Sequence, residues 1–225
     1  MTISIIIPVL NEAQILERTL QRVTSLHGDY EIIVVDGGST DNTAAIAGRY
    51  ATVLSGPRGR AAQMNLGAKE ASGDILLFLH ADTILPEGAF GAIEKSLANP
   101  AVAGGRFKVR LDEAGWQYRM IGSSINLRDR LLKGFTGDQA IFIRTSKFNG
   151  LGGYRDITLM EDLDLGRRMG RIGKLVQLPL SVVTSARRWK NDGVFRTVLL
   201  MWALRLAYMV GYPPQRLRRF YGDTR

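Results

Sequence analysis

The sequence contains no cysteine. That absence excludes disulfides, thiolate catalysis and cysteine-rich zinc sites, and it fits a reducing cytoplasm. Histidine is nearly as scarce. Only His27 and His80 occur, so no metal site built from several imidazoles is expected. Long apolar runs are lacking as well. The longest, over residues 194–212, is broken by Arg196 and Arg205, whereas a membrane span needs roughly 20 apolar residues with few charges. It reads as an amphipathic helix. No charged leader or cleavable apolar segment precedes the strand-like run that starts at Ile3, so no secretory signal is expected. Internal repeats, low-complexity tracts and obvious linkers are also missing. The first strand is followed by Pro8-Val9-Leu10-Asn11-Glu12. This turn has neither the Gly-x-Gly-x-x-Gly of a dinucleotide-dependent oxidoreductase nor the glycine-rich phosphate loop of a nucleotidyltransferase.

The chain has 225 residues, enough for a sizeable core. Its 30 Lys and Arg outnumber 21 Asp and Glu, for a net charge of +9. A basic surplus points to anionic partners: nucleic acid, phosphorylated small molecules or an anionic membrane face. Nucleic acid is suggested by charge alone, since no recognisable module accompanies it. Arginines concentrate late, at Arg187, Arg188, Arg216, Arg218, Arg219 and Arg225.

The first hundred residues alternate. Strands are predicted over 3–8, 31–35, 51–54 and 74–79, and helices over 12–26, 40–50, 60–71 and 86–97, the last with Pro86 in its first turn. Alternation at this pitch predicts right-handed βαβ units and a mostly parallel sheet. The second half is less regular. It predicts strands over 101–111, 139–144 and 174–178, helices over 116–132 and 160–170, and a glycine-rich turn over 149–154.

Five stretches could carry chemistry. In Asp36-Gly37-Gly38-Ser39-Thr40-Asp41-Asn42-Thr43, the glycines allow a tight turn, and Ser39 or Thr40 can cap the next helix. Asp36, at a strand end, is either a ribose or base contact or a solvated acid. In Gly56–Gly67, Arg58 and Arg60 stand in a glycine-flanked loop at a helix start. They suit an anion there, or they are solvated surface groups. The apolar run over 76–83 ends in Asp82, and strand ends are where open α/β sheets place their chemistry. A carboxylate there can hold Mg²⁺ or Mn²⁺ against substrate phosphates, while His80 reads as a packed histidine. Glu161-Asp162 opens a helix, where acids complement the helix dipole or serve as a general base. Ser185-Ala186-Arg187-Arg188-Trp189 offers a diphosphate contact with stacking, or a basic surface anchored by a half-buried Trp.

In this order, the stretches resemble the family-2 glycosyltransferases with the GT-A nucleotide-sugar fold, over roughly residues 3–189. Ile5-Ile6-Ile7-Pro8-Val9-Leu10-Asn11-Glu12 is similar to that family's first strand and turn. Asp36–Thr43 resembles its nucleoside-binding turn, and Asp82 falls on the last acid of its Asp-x-Asp metal motif. Gly152-Gly153-Tyr154 with Glu161-Asp162 resembles its glycine turn and catalytic acid pair. Arg188-Trp189 resembles the Arg-Trp of processive members. Leu79-His80-Ala81-Asp82-Thr83 and Gly137-Asp138-Gln139 are similar to small stand-alone bacterial members of the rSAM/selenodomain-associated or carotenoid type. His80 replaces the first acid of the metal motif, and Ser185 replaces the glutamine of the processive motif.

The resemblance implies a single α/β GT-A domain over 1–190. A nucleotide-sugar half spans about 1–100 and an acceptor half 101–190, followed by an amphipathic helix and basic tail over 191–225. It implies inverting transfer of one sugar from a nucleoside diphosphate sugar to a hydroxyl on a lipid or small molecule, with Mg²⁺ or Mn²⁺. Asp162 and Glu161 are implied as catalytic. Pro8, Glu12, Asp36, Arg60, Asn65, Ala81 and Asp82 are implied donor contacts, with Asp82 the metal ligand. Gly137, Asp138, Gln139, Arg188 and Trp189 are implied on the acceptor or diphosphate side. A non-catalytic nucleotide-sugar binder, a membrane adaptor and a sugar nucleotidyltransferase are the competing readings. A cytoplasmic location is expected, with peripheral contact at the inner membrane face through the C-terminal helix as a further option. That helix could equally pack on the domain core.

Overall fold

The computed structural model describes residues 1–132 and 135–221; Arg225 lies outside them. The elements are β1 (Ile3–Val9), α1 (Ala13–Thr24), β2 (Tyr30–Asp36), α2 (Thr43–Ala47), β3 (Thr52–Ser55), α3 (Arg60–Glu70), β4 (Ile75–Phe78), β5 (Thr83–Ile84) and α4 (Ala89–Leu97). Then come β6 (Val102–Leu111), α5 (Trp116–Leu132), β7 (Ile141–Arg144), α6 (Thr145–Gly150), α7 (Glu161–Ile172), β8 (Lys174–Thr184), α8 (Arg187–Asp192), α9 (Val194–Met209) and α10 (Pro214–Leu217).

Among the described residues the strands form one sheet in the order β3-β2-β1-β4-β7-β6-β8-β5. The first four are parallel, as the alternation predicts. β7 runs antiparallel to both β4 and β6, β8 parallel to β6, and β5 antiparallel to β8. The result is an α/β domain with a mostly parallel sheet flanked by helices.

The β-branched run of β1 explains its central place. Ile5 and Ile7 point into one buried cluster with Leu16 and Leu20 of α1, and Ile6 points into the other with Met64 of α3. A strand buried on both faces needs an unbroken apolar run, and β1 has one.

Several boundaries differ from expectation. Pro86 precedes α4 and is not in its first turn. α7 runs through Gly170 and stops at Gly173, and β8 extends to Thr184 although it contains Pro179. A register shift pairs Arg106 with Gln177 but Lys108 with Ser181, so the proline sits in a bulge and removes no ladder hydrogen bond. β5 and α8, two and six residues long, carry too short a pattern to be read from sequence. Neither Ser39 nor Thr40 caps α2; its N-cap is Asn42, without a side-chain cap.

Candidate active site

The carboxyl ends of β1, β2 and β4 lie side by side, and three turns leave from them. The turns after β1 and β2 are laced together. Asp36, buried at the end of β2, accepts hydrogen bonds from the Ser39 N–H (3.1 Å) and the Ser39 hydroxyl (2.5 Å). That hydroxyl accepts the Asn11 N–H at 2.9 Å, and Asn11 Oδ1 accepts the Thr40 N–H at 2.8 Å. Asn11 adopts φ +53°, which lets the chain reverse beside Ser39. The buried Gln63 amide donates to the carbonyls of Val9 and Val35, both at 2.8 Å, fixing the two strand ends to α3. Pro8 stands in β1 opposite Val35, and the Glu12 N–H is held by Thr43 Oγ1 at 2.8 Å.

The turn after β4 carries His80, Ala81 and Asp82. Burial pushes the Asp82 carboxyl above the ordinary aspartate range. Asp138 and Glu12 push it the same way, while His80 and Arg187 oppose the shift. Two further carboxylates thus act on Asp82 electrostatically, a repulsion that a cation would relieve. Among the described residues no three metal-ligating side chains converge. The Asp82 carboxylate, repelled by Asp138 and Glu12, fits a cation that takes its other ligands from substrate phosphate oxygens, the usual habit of Mg²⁺. Asp82 also borders a cavity of about 60 Å³, which shares Asp112 and Ser185 with a neighbouring one of about 230 Å³.

Opposite lies the Gly137–Gln139 turn, closed by the Gln139 side chain on the Thr136 N–H at 3.2 Å. Gly137 is wedged. A Cβ there would lie 2.3 Å from His80 Nε2 and 2.8 Å from Asp162 Oδ2. The Gly137 N–H lies close enough to the Asp162 carboxylate to favour its charged form. Burial drives the Asp162 carboxyl well above the ordinary aspartate range. Glu161 and Asp138 add to this, and Arg60 and the Gly137 N–H oppose it. Its Oδ1 is buried and accepts no hydrogen bond among the described residues. The chain delivers this pair through Met160, whose φ of +69° is unusual for a non-glycine residue. Left-handed backbone costs roughly 1–2 kcal/mol there, and such strain gathers at working sites.

Arg60 opens α3, 4.0 Å from Glu161 Oε1. Burial would lower its pKa, but Glu161, Tyr221, Asp162 and Asp138 together raise it, so the guanidinium stays charged. Two contacts come from the end of the chain. Arg187 pairs with Glu12 at 3.5 Å, and the Arg188 guanidinium carbon lies 3.7 Å from the centre of the Tyr221 ring. Glu12, Arg60, Asp82, Asp138, Glu161, Asp162 and Arg188 thus belong to one neighbourhood.

Other expected residues have structural partners. Both ends of the Asn65 amide bind the Tyr154 backbone at 2.8 Å, just after Gly152 and Gly153, which have φ of +72° and +70°. Ala81 is buried, and its carbonyl accepts the Thr19 hydroxyl at 2.6 Å. Trp189 packs on Leu111, Ile121 and Ala186. Gln139 is fully buried. Asp164, two residues beyond Asp162, is bound by Arg168 at 2.7 Å and Arg155 at 3.2 Å. Sequence reasoning missed the Glu12–Arg187 pair and Tyr221. An acid near one terminus and an arginine near the other carry no local sign that they meet.

Residues 4–152 match the profile described as Glycosyl transferase family 2. The chain belongs to this family. Among its relatives is a PGL/p-HBAD biosynthesis glycosyltransferase of Mycobacterium tuberculosis, 34% identical over 170 residues, covering 67% of this chain and 62% of that protein. An undecaprenyl-phosphate 4-deoxy-4-formamido-L-arabinose transferase of Proteus mirabilis is 34% identical over 93 residues, 36% of this chain and 28% of that protein. A solved structure, the mannosyltransferase PcManGT of Pyrobaculum calidifontis in complex with GDP-Man and Mn²⁺, superposes with a TM-score of 0.65. It has 20% identity over 90% of this chain and 64% of the other. That likeness shows the GT-A fold. The chain spans less than two thirds of the length of each of these proteins.

Proposed function

We propose that this family-2 member is an inverting glycosyltransferase. It moves one sugar from a nucleoside diphosphate sugar to a hydroxyl on a lipid-borne acceptor. The observation that carries this reading is Asp162: a carboxyl pushed upward by burial, with an unpartnered Oδ1, packed beside Gly137 and within the influence of Arg60. A raised carboxyl is a stronger base, and general-base assistance contributes about 10²–10⁴ in rate.

In this reading Asp36 holds the nucleoside, with Pro8 and Glu12 framing the pocket. Arg60 and Arg188 meet the diphosphate. Asp162 takes the proton of the acceptor hydroxyl as its oxygen bonds the anomeric carbon and the bond to the diphosphate breaks. Glu161 keeps Arg60 in place and Asp162 high. Gly137, Asp138 and Gln139 form the wall between the carboxylates, and Trp189 anchors the α8 backbone next to Arg188 through Leu111, Ile121 and Ala186. Asp82 would hold Mg²⁺ or Mn²⁺, which supplies positive charge to the departing diphosphate. His80 in place of a first acid leaves that ion on one protein carboxylate. The likeness of the His80 and Gly137 motifs to small stand-alone bacterial members belongs to the same proposal. So do the division at residue 190 and the cytoplasmic location.

The lipid-borne acceptor rests on α9. No helix among the described residues is long and apolar enough to cross a membrane. Yet Phe195, Leu199, Trp202, Leu206 and Met209 form a stripe at helical spacing that is 52–85% exposed. The opposite side, with Leu204, packs on Leu159 and Leu217. Trp116, Met120 and Leu127 of α5 are exposed as well, and Arg205 ties α9 to Asp129 of α5 at 3.4 Å. With Arg196, Arg216, Arg218 and Arg219 nearby in sequence, the stripe fits an anionic bilayer surface.

A thermal-shift panel of UDP-, GDP- and dTDP-sugars with and without Mn²⁺ tests the whole. Stabilisation by at least one donor, strengthened by Mn²⁺ and insensitive to Mn²⁺ in Asp82→Ala, is expected. No stabilisation by any donor overturns the reading.

A further inference from the structure

The C-terminal segment returns to the site. α10 packs on α9, and the chain then turns so that the Tyr221 N–H donates to the Arg218 carbonyl at 3.2 Å. Arg218 Nη1 donates back to the Tyr221 carbonyl at 2.9 Å. The ring packs against the cluster of Leu159, Leu204 and Leu217, which Met160 also joins. Tyr221 and the strained Met160, which precedes Glu161 and Asp162, thus pack against one cluster. Its outer face meets the Arg188 guanidinium, 3.7 Å from carbon to ring centre, well inside the roughly 6 Å over which a cation is attracted to an aromatic face. Arg60 feels the same tyrosine.

A guanidinium held this close over a ring is restrained, and its N–H donors keep a set position. That is the geometry a diphosphate requires of an arginine. We propose that Tyr221 is a positioning residue: it holds Arg188, and with it the side of the pocket next to Arg60, ready for the diphosphate of the donor. This rests on the reading that the chain binds a nucleoside diphosphate. The ring performs the task, and the hydroxyl is incidental. The basic tail thus serves the site as well as any surface it meets.

Isothermal titration of UDP, GDP and dTDP, each with Mn²⁺, and of the matching nucleosides without phosphate, tests this on three full-length chains: unaltered, Tyr221→Leu and Tyr221→Phe. Leucine is expected to weaken the preferred nucleoside diphosphate by about five- to tenfold, the size of a partly desolvated cation–π contact. Nucleoside affinity is expected to stay within about twofold and phenylalanine to restore most of the loss. Unaltered diphosphate affinity in Tyr221→Leu overturns the proposal. So does equal weakening of nucleoside and diphosphate, which would mark general damage to the fold, or a Tyr221→Phe that behaves like leucine. If the unaltered chain binds none of the three diphosphates, the donor reading falls and this proposal with it. Binding by the unaltered chain without loss in leucine defeats this proposal alone.

Discussion

Gly137→Ala is the sharpest probe of the site, because one methyl group would meet two residues at once. The added carbon would sit 2.3 Å from His80 Nε2 and 2.8 Å from Asp162 Oδ2. Ordinary contact needs about 3.5 Å, so the imidazole must retreat by about 1.2 Å and the carboxylate by about 0.7 Å. His80 has little room, with Leu79 and Ala81 buried on either side of it. Overpacking of this kind costs about 1–3 kcal/mol. In a chain of 225 residues, each kcal/mol is worth about 2–4 °C in melting temperature, so a fall of about 2–12 °C is expected. The larger effect falls on chemistry. A shift of the base by most of an ångström costs on the order of tenfold to a hundredfold in kcat. Differential scanning fluorimetry and initial rates at saturating donor measure the two losses. An alanine variant with unchanged melting and unchanged kcat would refute the wedge. A lower melting temperature with full kcat would show that Gly137 does not set the position of Asp162.

Three further predictions follow from neighbouring features. Asp162→Asn should cut kcat by about 10²–10⁴ while leaving donor affinity within a few-fold, and calorimetry beside turnover assays separates the two. The raised Asp162 carboxyl also fixes a sign. The folded state holds its proton more tightly than the unfolded chain, so its contribution to stability is full below the ordinary aspartate pKa and is lost as pH rises through the raised value. Asp162→Asn should therefore melt higher than the unaltered chain at neutral pH, with the advantage shrinking in acid, and the acid limb of kcat/KM should lie above the ordinary aspartate range; a lower neutral melting temperature would contradict both. Asp164→Ala strands Arg168, whose side chain is 9% exposed; breaking such a pair costs about 3–5 kcal/mol, read by urea unfolding, and a loss under about 1 kcal/mol would refute the buried pair. Leu199→Glu with Trp202→Glu should abolish flotation with phosphatidylglycerol vesicles at unchanged melting temperature; equal flotation of both chains would remove the bilayer from the proposal.

What could be read from the sequence depended on whether a residue announces itself through its neighbours. Asp36 and Asp82 close apolar strand runs, and Glu161 and Asp162 open a helix after a glycine turn, so local pattern marks them. The parallel half of the sheet was legible for the same reason. The pairing of β6 with β8 around a bulge at Pro179 was not, because a proline within a run argues against a strand until the partner's register is known. Asn65 shows the opposite difficulty. A half-buried polar residue on a helix looks alike in sequence whether it faces a ligand or, as here, holds the Tyr154 backbone. The Glu12–Arg187 and Arg188–Tyr221 contacts join distant parts of the chain, and only the folded domain brings them together.

The Glu12–Arg187 pair also has a bearing on biosynthesis. Glu12 is synthesised before β2, whereas its partner Arg187 and the later Tyr221 follow every strand of the sheet. A nascent chain can pair β1 through β4 long before the far wall of the pocket exists, because those strands need only local connections. Nucleotide affinity should therefore lag behind the appearance of the sheet during synthesis. In refolding, donor binding would report the docking of the segment that carries Arg187 and Tyr221 rather than the pairing of β1 through β4.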